Sequence, residues 1–343
     1  MPLLEVENLA VRFRTRAGAV PAVNGVSFTV DASETVGLVG ESGSGKSVTS
    51  LALMGLVPGR RTEVTASRLA LDGTDLLGLS ESELRRRRGR DVAIVFQNPT
   101  SSLNPVVRIS KQITEALQAH ESITRAAARK RAAELLAEVG IPDPARVLDS
   151  YPHRLSGGMC QRVMIAIALA LKPKLLIADE PTTALDVTIQ AQVLEVMRTL
   201  TREFGTALIL IAHDLGVVAA TAQRVNVMYA GRIVESGPVA DMFARPRHPY
   251  TVGLLRSIAR PDRDVDGTLA AIPGQPPDPT AIPPGCPFAP RCAWRLERCT
   301  VEEPQLAAEE GRPDQRFACH NPVTLSEAEA GRPVRTTAAG AGA

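Results

Sequence analysis

Residues Gly40 to Ser47 read GESGSGKS, the spacing G-x-x-x-x-G-K-[ST]. In such a loop the glycines let successive backbone N–H groups curl around phosphate oxygens, and the following helix adds the positive end of its dipole. Gly40, Glu41, Ser42, Gly43, Ser44 and Gly45 form the cradle, which runs on through Val48. Lys46 reaches the β- and γ-phosphates and the Ser47 hydroxyl ligates Mg²⁺. A second stretch, LLIADE, delivers Asp179 and Glu180 at the end of an apolar run. Alone that is weak, because strands often end in charge. Beside a phosphate loop it reads as the other half of a nucleotide site, with Asp179 holding Mg²⁺ and Glu180 polarising the attacking water.

The elements that must position these residues are legible around them. ETVGLVG before the loop reads as a strand, and KSVTSLALMGLV after it as a helix. VSFTV and DVAIVF read as further strands. KLLIAD and TALILIAHD are continuous apolar runs with charged ends, as central parallel strands require. A helix over about 186–204 lies between them, and a helical, Ala/Glu/Arg-rich insert spans Ile109 to Gly140. Strand, helix, strand at this spacing implies an α/β parallel sheet covered by helices.

The bulk numbers fit that class and exclude others. At 343 residues the chain holds one large domain plus an appendage, and its 3% aromatic content makes the core aliphatic. The formal charge of +2 gives no argument for nucleic acid, and the run Arg85–Arg88 reads as a solvated helix end. No stretch matches a secretory leader or a membrane span, so a soluble, cytosolic chain is expected.

After about Arg260 the character changes to IPGQPPDPTAIPPGCPFAP, too proline-rich for a long helix. Four of the five cysteines follow, at C-x5-C-x6-C-x19-C: Cys286, Cys292, Cys299 and Cys319. In a cytosolic chain this points to metal before disulfides. Zinc sites usually bring close C-x2–4-C pairs, which are missing here, whereas a [4Fe–4S] cluster tolerates wide, uneven spacing. A cluster, zinc and free thiols all stay open on spacing alone. The last residues look like a disordered end.

With LSGGMCQR, Leu155 to Arg162, the sequence resembles the ATP-binding-cassette ATPases over roughly Leu3 to Ser257. The resemblance implies a P-loop cassette with an antiparallel N-terminal β part and an inserted helical subdomain at about 98–160, within a nucleotide-binding domain at 1–260. It implies an ATPase in which Glu180, His213, Lys46 and Gln97 serve hydrolysis and Ser47, Gln97 and Asp179 manage Mg²⁺. Phe13 matches the aromatic that stacks on adenine, and Ala184-Leu185-Asp186 the loop that contacts the opposite subunit. Ser156, Gly157 and Gly158 match the turn that meets the ATP of a second cassette. One phosphate loop and one LSGG per chain then require such a second cassette, a copy or a homologue. Cys160 stands beside that turn, where it reads as filler rather than as a site of sensitivity to thiol reagents.

FQNPTSSLNP, DEPTTALDVTIQAQVL, RPRHPYTVGLLRSI and the tail motif GCPFAPRC look like the dipeptide and oligopeptide importer branch. That finer resemblance reaches about Pro322. It implies a 261–325 extension, a heterodimer of cassettes, two membrane permease subunits, an extracytoplasmic peptide-binding protein and a place at the cytoplasmic face of the inner membrane. Some members carry a [4Fe–4S] cluster on the tail motif. Nickel or glutathione importers share the branch. A soluble cassette ATPase of translation or DNA repair is the rival from another class, but a second cassette, a long coiled coil or a basic arm is missing from the sequence.

Overall fold

A computed structural model describes residues 1–15, 18–59, 61–182, 186–257 and 272–330. Ala184 and Leu185, the expected boundary at 260/261 and residues 331–343 of the expected tail lie outside the described residues.

β1 (Leu4–Thr15) and β2 (Gly18–Val30) pair antiparallel and alternate buried with exposed side chains, which leaves one face wet. β3 (Thr35–Val39) passes into a second sheet and ends at the loop that opens α1 (Lys46–Leu53). β4 (Thr62–Thr65), β5 (Arg68–Leu71) and β6 (Thr74–Asp75) complete the first sheet, with β4 and β5 both pairing β1 antiparallel. α2 (Glu81–Arg87) starts on a Ser80/Glu83 capping box. The basic run ends this helix, but it is not simply solvated. Arg87 pairs with Asp91, and Arg88 pairs with Glu81 and donates to the Met54 and Gly55 carbonyls, so it closes the end of α1.

β7 (Val92–Val95) leads into the insert: α3 (Pro99–Ser102), α4 (Ile109–Gln118), α5 (Arg125–Glu138), α6 (Pro144–Leu148) and α7 (Gly157–Leu169). α4 buries Ile109, Ile113 and Leu117, one stripe at helical spacing, against the same core as Leu135 and Leu136 of α5. β8 (Leu175–Asp179), α8 (Val187–Phe204) and β9 (Ala207–Ala212) follow, and every residue of both strands is buried. α9 (Leu215–Thr221), β10 (Arg224–Tyr229), β11 (Arg232–Pro238), α10 (Val239–Ala244) and α11 (Pro249–Arg256) end the cassette.

The second sheet runs in the order β12-β13-β11-β10-β3-β9-β8-β7, with β7, β8, β9, β3 and β10 parallel. Its outer strands β12 (Ala307–Glu309) and β13 (Arg312–Phe317) come from the cysteine- and proline-rich extension, and β13 pairs β11 at Glu235 and Ser236. The extension is thus added to the edge of the cassette's own sheet. α12 (Leu325–Glu329), capped by Thr324, occupies the start of the segment expected to be disordered. Among the described residues no helix is long and apolar enough to cross a membrane.

Candidate functional site

Parallel strands send their C-terminal ends to one edge, the usual place for a ligand in an open α/β sheet. β3 brings the phosphate loop there, β8 brings Asp179 and Glu180, and the adjacent β7 and β9 bring Gln97 and His213 within two residues of their ends. The loop, Gln97, Glu180 and His213 line a cleft of about 470 Å³.

The loop conformation depends on two glycines. Gly40 has φ 151°, and a Cβ there would lie 2.2 Å from the Met228 carbonyl. Gly45 has φ 101°, and its Cβ would lie 2.6 Å from the Ala22 carbonyl. A side chain at either position collides with backbone, which cannot step aside. The loop is therefore squeezed between β2 and the end of β10. Lys46 is buried, and its Nζ donates to the carbonyls of Gly40 at 2.7 Å and Glu41 at 2.9 Å. Burial pushes its pKa down, opposed by the carboxylates of Glu180, Asp179 and Glu41. Ser44 Oγ is buried with no hydrogen-bond partner among the described residues. A buried hydroxyl without a partner is costly, and an oxyanion in the cradle would satisfy it.

Ser47 Oγ donates to Asp179 Oδ1 at 3.1 Å, which sets two hard oxygen ligands side by side beneath the loop. Burial raises the Asp179 pKa, against the Ser47 hydrogen bond. These donors fit Mg²⁺. Glu180 sits at φ 46°, a left-handed conformation that a residue with a Cβ adopts only at a cost, and its N–H bonds the Ile211 carbonyl at 3.0 Å. Gln97 Nε2 donates to Glu180 Oε2 at 2.7 Å, and His213 Nδ1 lies 3.8 Å from the same oxygen. The carboxylate is 15% exposed and the imidazole 59%, so the acid is partly desolvated while the histidine reaches into the open cleft.

Other residues marked by the sequence lie away from the cleft. Phe13 pairs across the sheet with Val20, which does line it, but the phenyl ring packs on the hydrophobic core beside β1. Ser156 caps α7, its Oγ accepting from Met159 N at 3.3 Å, and with Gly157 it is exposed; Gly158 follows in the same first turn. Asp186 caps α8 and is exposed. Both caps are thus free to meet another chain. Cys160 is fully buried, its thiol donating to the Pro152 carbonyl, which agrees with filler rather than with sensitivity to thiol reagents.

Sequence reasoning missed the hold of the extension on the loop. Arg291 donates through both terminal nitrogens to the Glu41 carboxylate, at 2.6 and 3.0 Å, and the guanidinium is only 5% exposed. The Glu41 N–H donates to Tyr250 Oη at 2.7 Å. Phe288 stacks edge-on against Tyr229 at 5.2 Å and tilts on Tyr250 at 5.4 Å. Both extension residues lie inside GCPFAPRC, a motif in which only the cysteines drew notice.

The expected metal centre is not supported. Among the described residues no group of three or more His, Cys, Asp or Glu is arranged to hold a metal ion, so zinc on Cys286, Cys292, Cys299 and Cys319 does not fit. Burial pushes the thiols of Cys292 and Cys319 up to about 12.

Comparison with known proteins agrees with this geometry. Residues 23–183 match the family model described as ABC transporter, and residues 234–299 match the oligopeptide/dipeptide transporter C-terminal region. The chain is 52% identical over 304 residues to the oligopeptide transport ATP-binding protein AppD of Bacillus subtilis, covering 89% of this chain and 92% of the relative. It is 49% identical over 336 residues to the dipeptide transport ATP-binding protein DppD of Escherichia coli, covering 97% and 99%. Among solved structures it resembles the ATP-binding cassette MJ0796 bound to ADP and phosphate, with TM-score 0.61 and 26% identity over 69% of this chain and 98% of that one. CbiO1 of Clostridium perfringens, part of the transporter complex cbiONQ, gives TM-score 0.59 and 26% identity over 71% and 91%.

Proposed function

The chain belongs to the ABC transporter ATPases of the oligopeptide and dipeptide branch, and on that premise we propose how it hydrolyses ATP and what the hydrolysis drives. The observation that carries the reading is the convergence of Gln97 and His213 on the Glu180 carboxylate across from Lys46. Lys46, now satisfied by carbonyls of its own loop, turns its charge to the β- and γ-phosphates. The loop N–H groups and Ser44 hold the phosphate oxygens. Glu180 accepts the proton of the attacking water, Gln97 fixes the carboxylate, and His213 steadies charge on the transferring group. Ser47, Asp179 and Gln97 would hold Mg²⁺, which would supply positive charge to offset that of the phosphates.

Ser156, Gly157, Gly158 and Asp186, exposed at two helix starts, meet the nucleotide and loops of a second cassette. We assign that cassette to a homologous subunit, so the working unit is a heterodimer. It docks through the insert at 98–160 on two permease subunits at the cytoplasmic face of the membrane. Cargo arrives from an extracytoplasmic peptide-binding protein. The domain division 1–260, 261–325 and a tail belongs to the same proposal. Support for peptide cargo is the kinship with AppD and DppD and the matching C-terminal region. In the assembled transporter, peptide-loaded binding protein should raise ATP turnover. Stimulation by nickel or glutathione alone would move the chain to the sister importers, and co-purification with ribosomes or DNA would move it out of transport.

A [4Fe–4S] cluster on Cys286, Cys292, Cys299 and Cys319 is a further proposal. Its support is geometric: the Cys286 N–H donates to the Cys299 carbonyl at 2.8 Å, which sets two of the four cysteines side by side. A cubane holds its thiolates at separate corners, so it does not need them to converge on one point. Its chemistry would be to staple a segment poor in apolar residues. Protein purified without air should carry about four irons and four acid-labile sulfides, lost in Cys292→Ser. Neither iron nor sulfide would leave free thiols.

A further inference from the structure

The cleft is larger than the phosphate loop needs. Phosphates take the cradle, and Gln97, Glu180 and His213 take its reacting side. Most of the remaining lining is apolar. One part is the cassette's own, Val20, Pro21 and Ala22 of β2. The other part is Pro276, Pro277, Pro279 and Ile282, which come from the extension. A base presents flat faces and must leave the cradle along these surfaces. Proline rings suit such a contact, since a fixed φ means little freedom is lost on binding.

The proline segment is also held in place. Arg291 Nε donates to the Pro273 carbonyl at 2.9 Å and Nη2 to the Ile272 carbonyl at 3.2 Å. The same guanidinium grips the Glu41 carboxylate with two hydrogen bonds. One side chain therefore ties the root of the proline segment to the second residue of the phosphate loop. A bidentate Arg–carboxylate pair fixes orientation as well as distance. Tyr229 and Phe288, packed edge to face, add a second tie, since Tyr229 lines the cleft and Phe288 belongs to the extension.

We infer that the C-terminal extension forms one wall of its own cassette's nucleotide pocket, with Pro277, Pro279 and Ile282 against the nucleoside and Arg291 as the positioning residue that registers this wall on the phosphate loop. The inference rests on the cleft being the ATP site. It separates two functions in the pocket: the loop recognises triphosphate and the extension recognises what the triphosphate is attached to.

Calorimetric titration of the full chain with ATP and with inorganic tripolyphosphate, both with Mg²⁺, tests it. Pro277 and Ile282 are only half-buried, so truncating them leaves the core intact. The double variant Pro277→Ala, Ile282→Ala should raise the Kd for ATP about tenfold, ~1.4 kcal/mol, and leave that for tripolyphosphate unchanged. Arg291→Ala should weaken both ligands, because wall and loop lose their tie together. Arg291→Lys keeps a charge on Glu41 but cannot also span both carbonyls. It should restore tripolyphosphate binding while ATP stays weak. An unchanged ATP Kd in the double variant, or equal losses for both ligands there, would overturn the inference. Wild-type protein that binds neither ligand would instead remove the ATP-site reading, and the wall with it.

Discussion

The cassette and the extension are ordered by different means, although they share one sheet. In the cassette, β8 and β9 are buried along their whole length, and their main-chain ladders place Glu180 and His213. In the extension, β12 and β13 are short and mostly exposed, and β13 meets β11 at two positions. What holds it is a set of side-chain anchors: Phe288 among the tyrosines, Arg291 on Glu41, and Gln315 on Glu235. A sheet tolerates the loss of one side chain because its neighbours keep the register. An anchored segment concentrates its stability in a few contacts. Variants in the two regions should therefore fail differently.

The largest effect sharpens this difference. Phe288→Ala removes a buried ring from the aromatic cluster and should cost about 3–5 kcal/mol. Denaturant unfolding should show the loss as an early transition of the extension, ahead of the cassette; a single unshifted transition would break the comparison. Lys46→Ala acts on the cassette alone. Removing a charged donor to phosphate should weaken ATP binding about 10–100-fold, from ~1.5–3 kcal/mol per charge-assisted bond, with melting behaviour close to wild type. A large drop in Tm instead would mean that the buried ammonium is structural.

A third effect, comparable in size, lies on the seam. Glu235 is fully buried, accepts the N–H groups of Arg247 and His248 at 2.8 Å each and receives Gln315 Nε2 at 3.3 Å. Desolvation raises its pKa from 4.5 to about 7, against those hydrogen bonds. The folded value is the higher one, so the folded state binds the proton more tightly. Its contribution to stability is complete below about pH 4.5 and is lost as pH rises through about 7. The stability difference between wild type and Glu235→Gln should fall by roughly 3 kcal/mol across that window, while buried His248, held down to about 3, adds an opposite slope to both chains. The same pH dependence in wild type and Glu235→Gln would contradict the assignment.

Much of the cassette was legible because its signals are local. GESGSGKS, LLIADE and the apolar runs of β8 and β9 each carry their meaning within ten residues. The burial of Ile109, Ile113 and Leu117 follows from helical spacing in the same way. The extension was not legible for the opposite reason. RPDQRF has no strand-like alternation, and it becomes β13 because the edge of β11 offers it partners. Arg291 and Glu41 are 250 residues apart, and neither residue type announces the pair. The cysteines drew attention to the right segment but to a metal centre that the described residues do not support. Phe13 packs its ring on the core beside β1.

The central claim is that Glu180 is the base for ATP hydrolysis in a site built at the strand ends. Phosphate release and ATP affinity, measured side by side on Glu180→Gln and wild-type chains in the assembled transporter, test it most directly. The account predicts ATP affinity within a few-fold of wild type and turnover reduced about 10²–10⁴-fold, the range for a lost general base. Hydrolysis at the wild-type rate would contradict it.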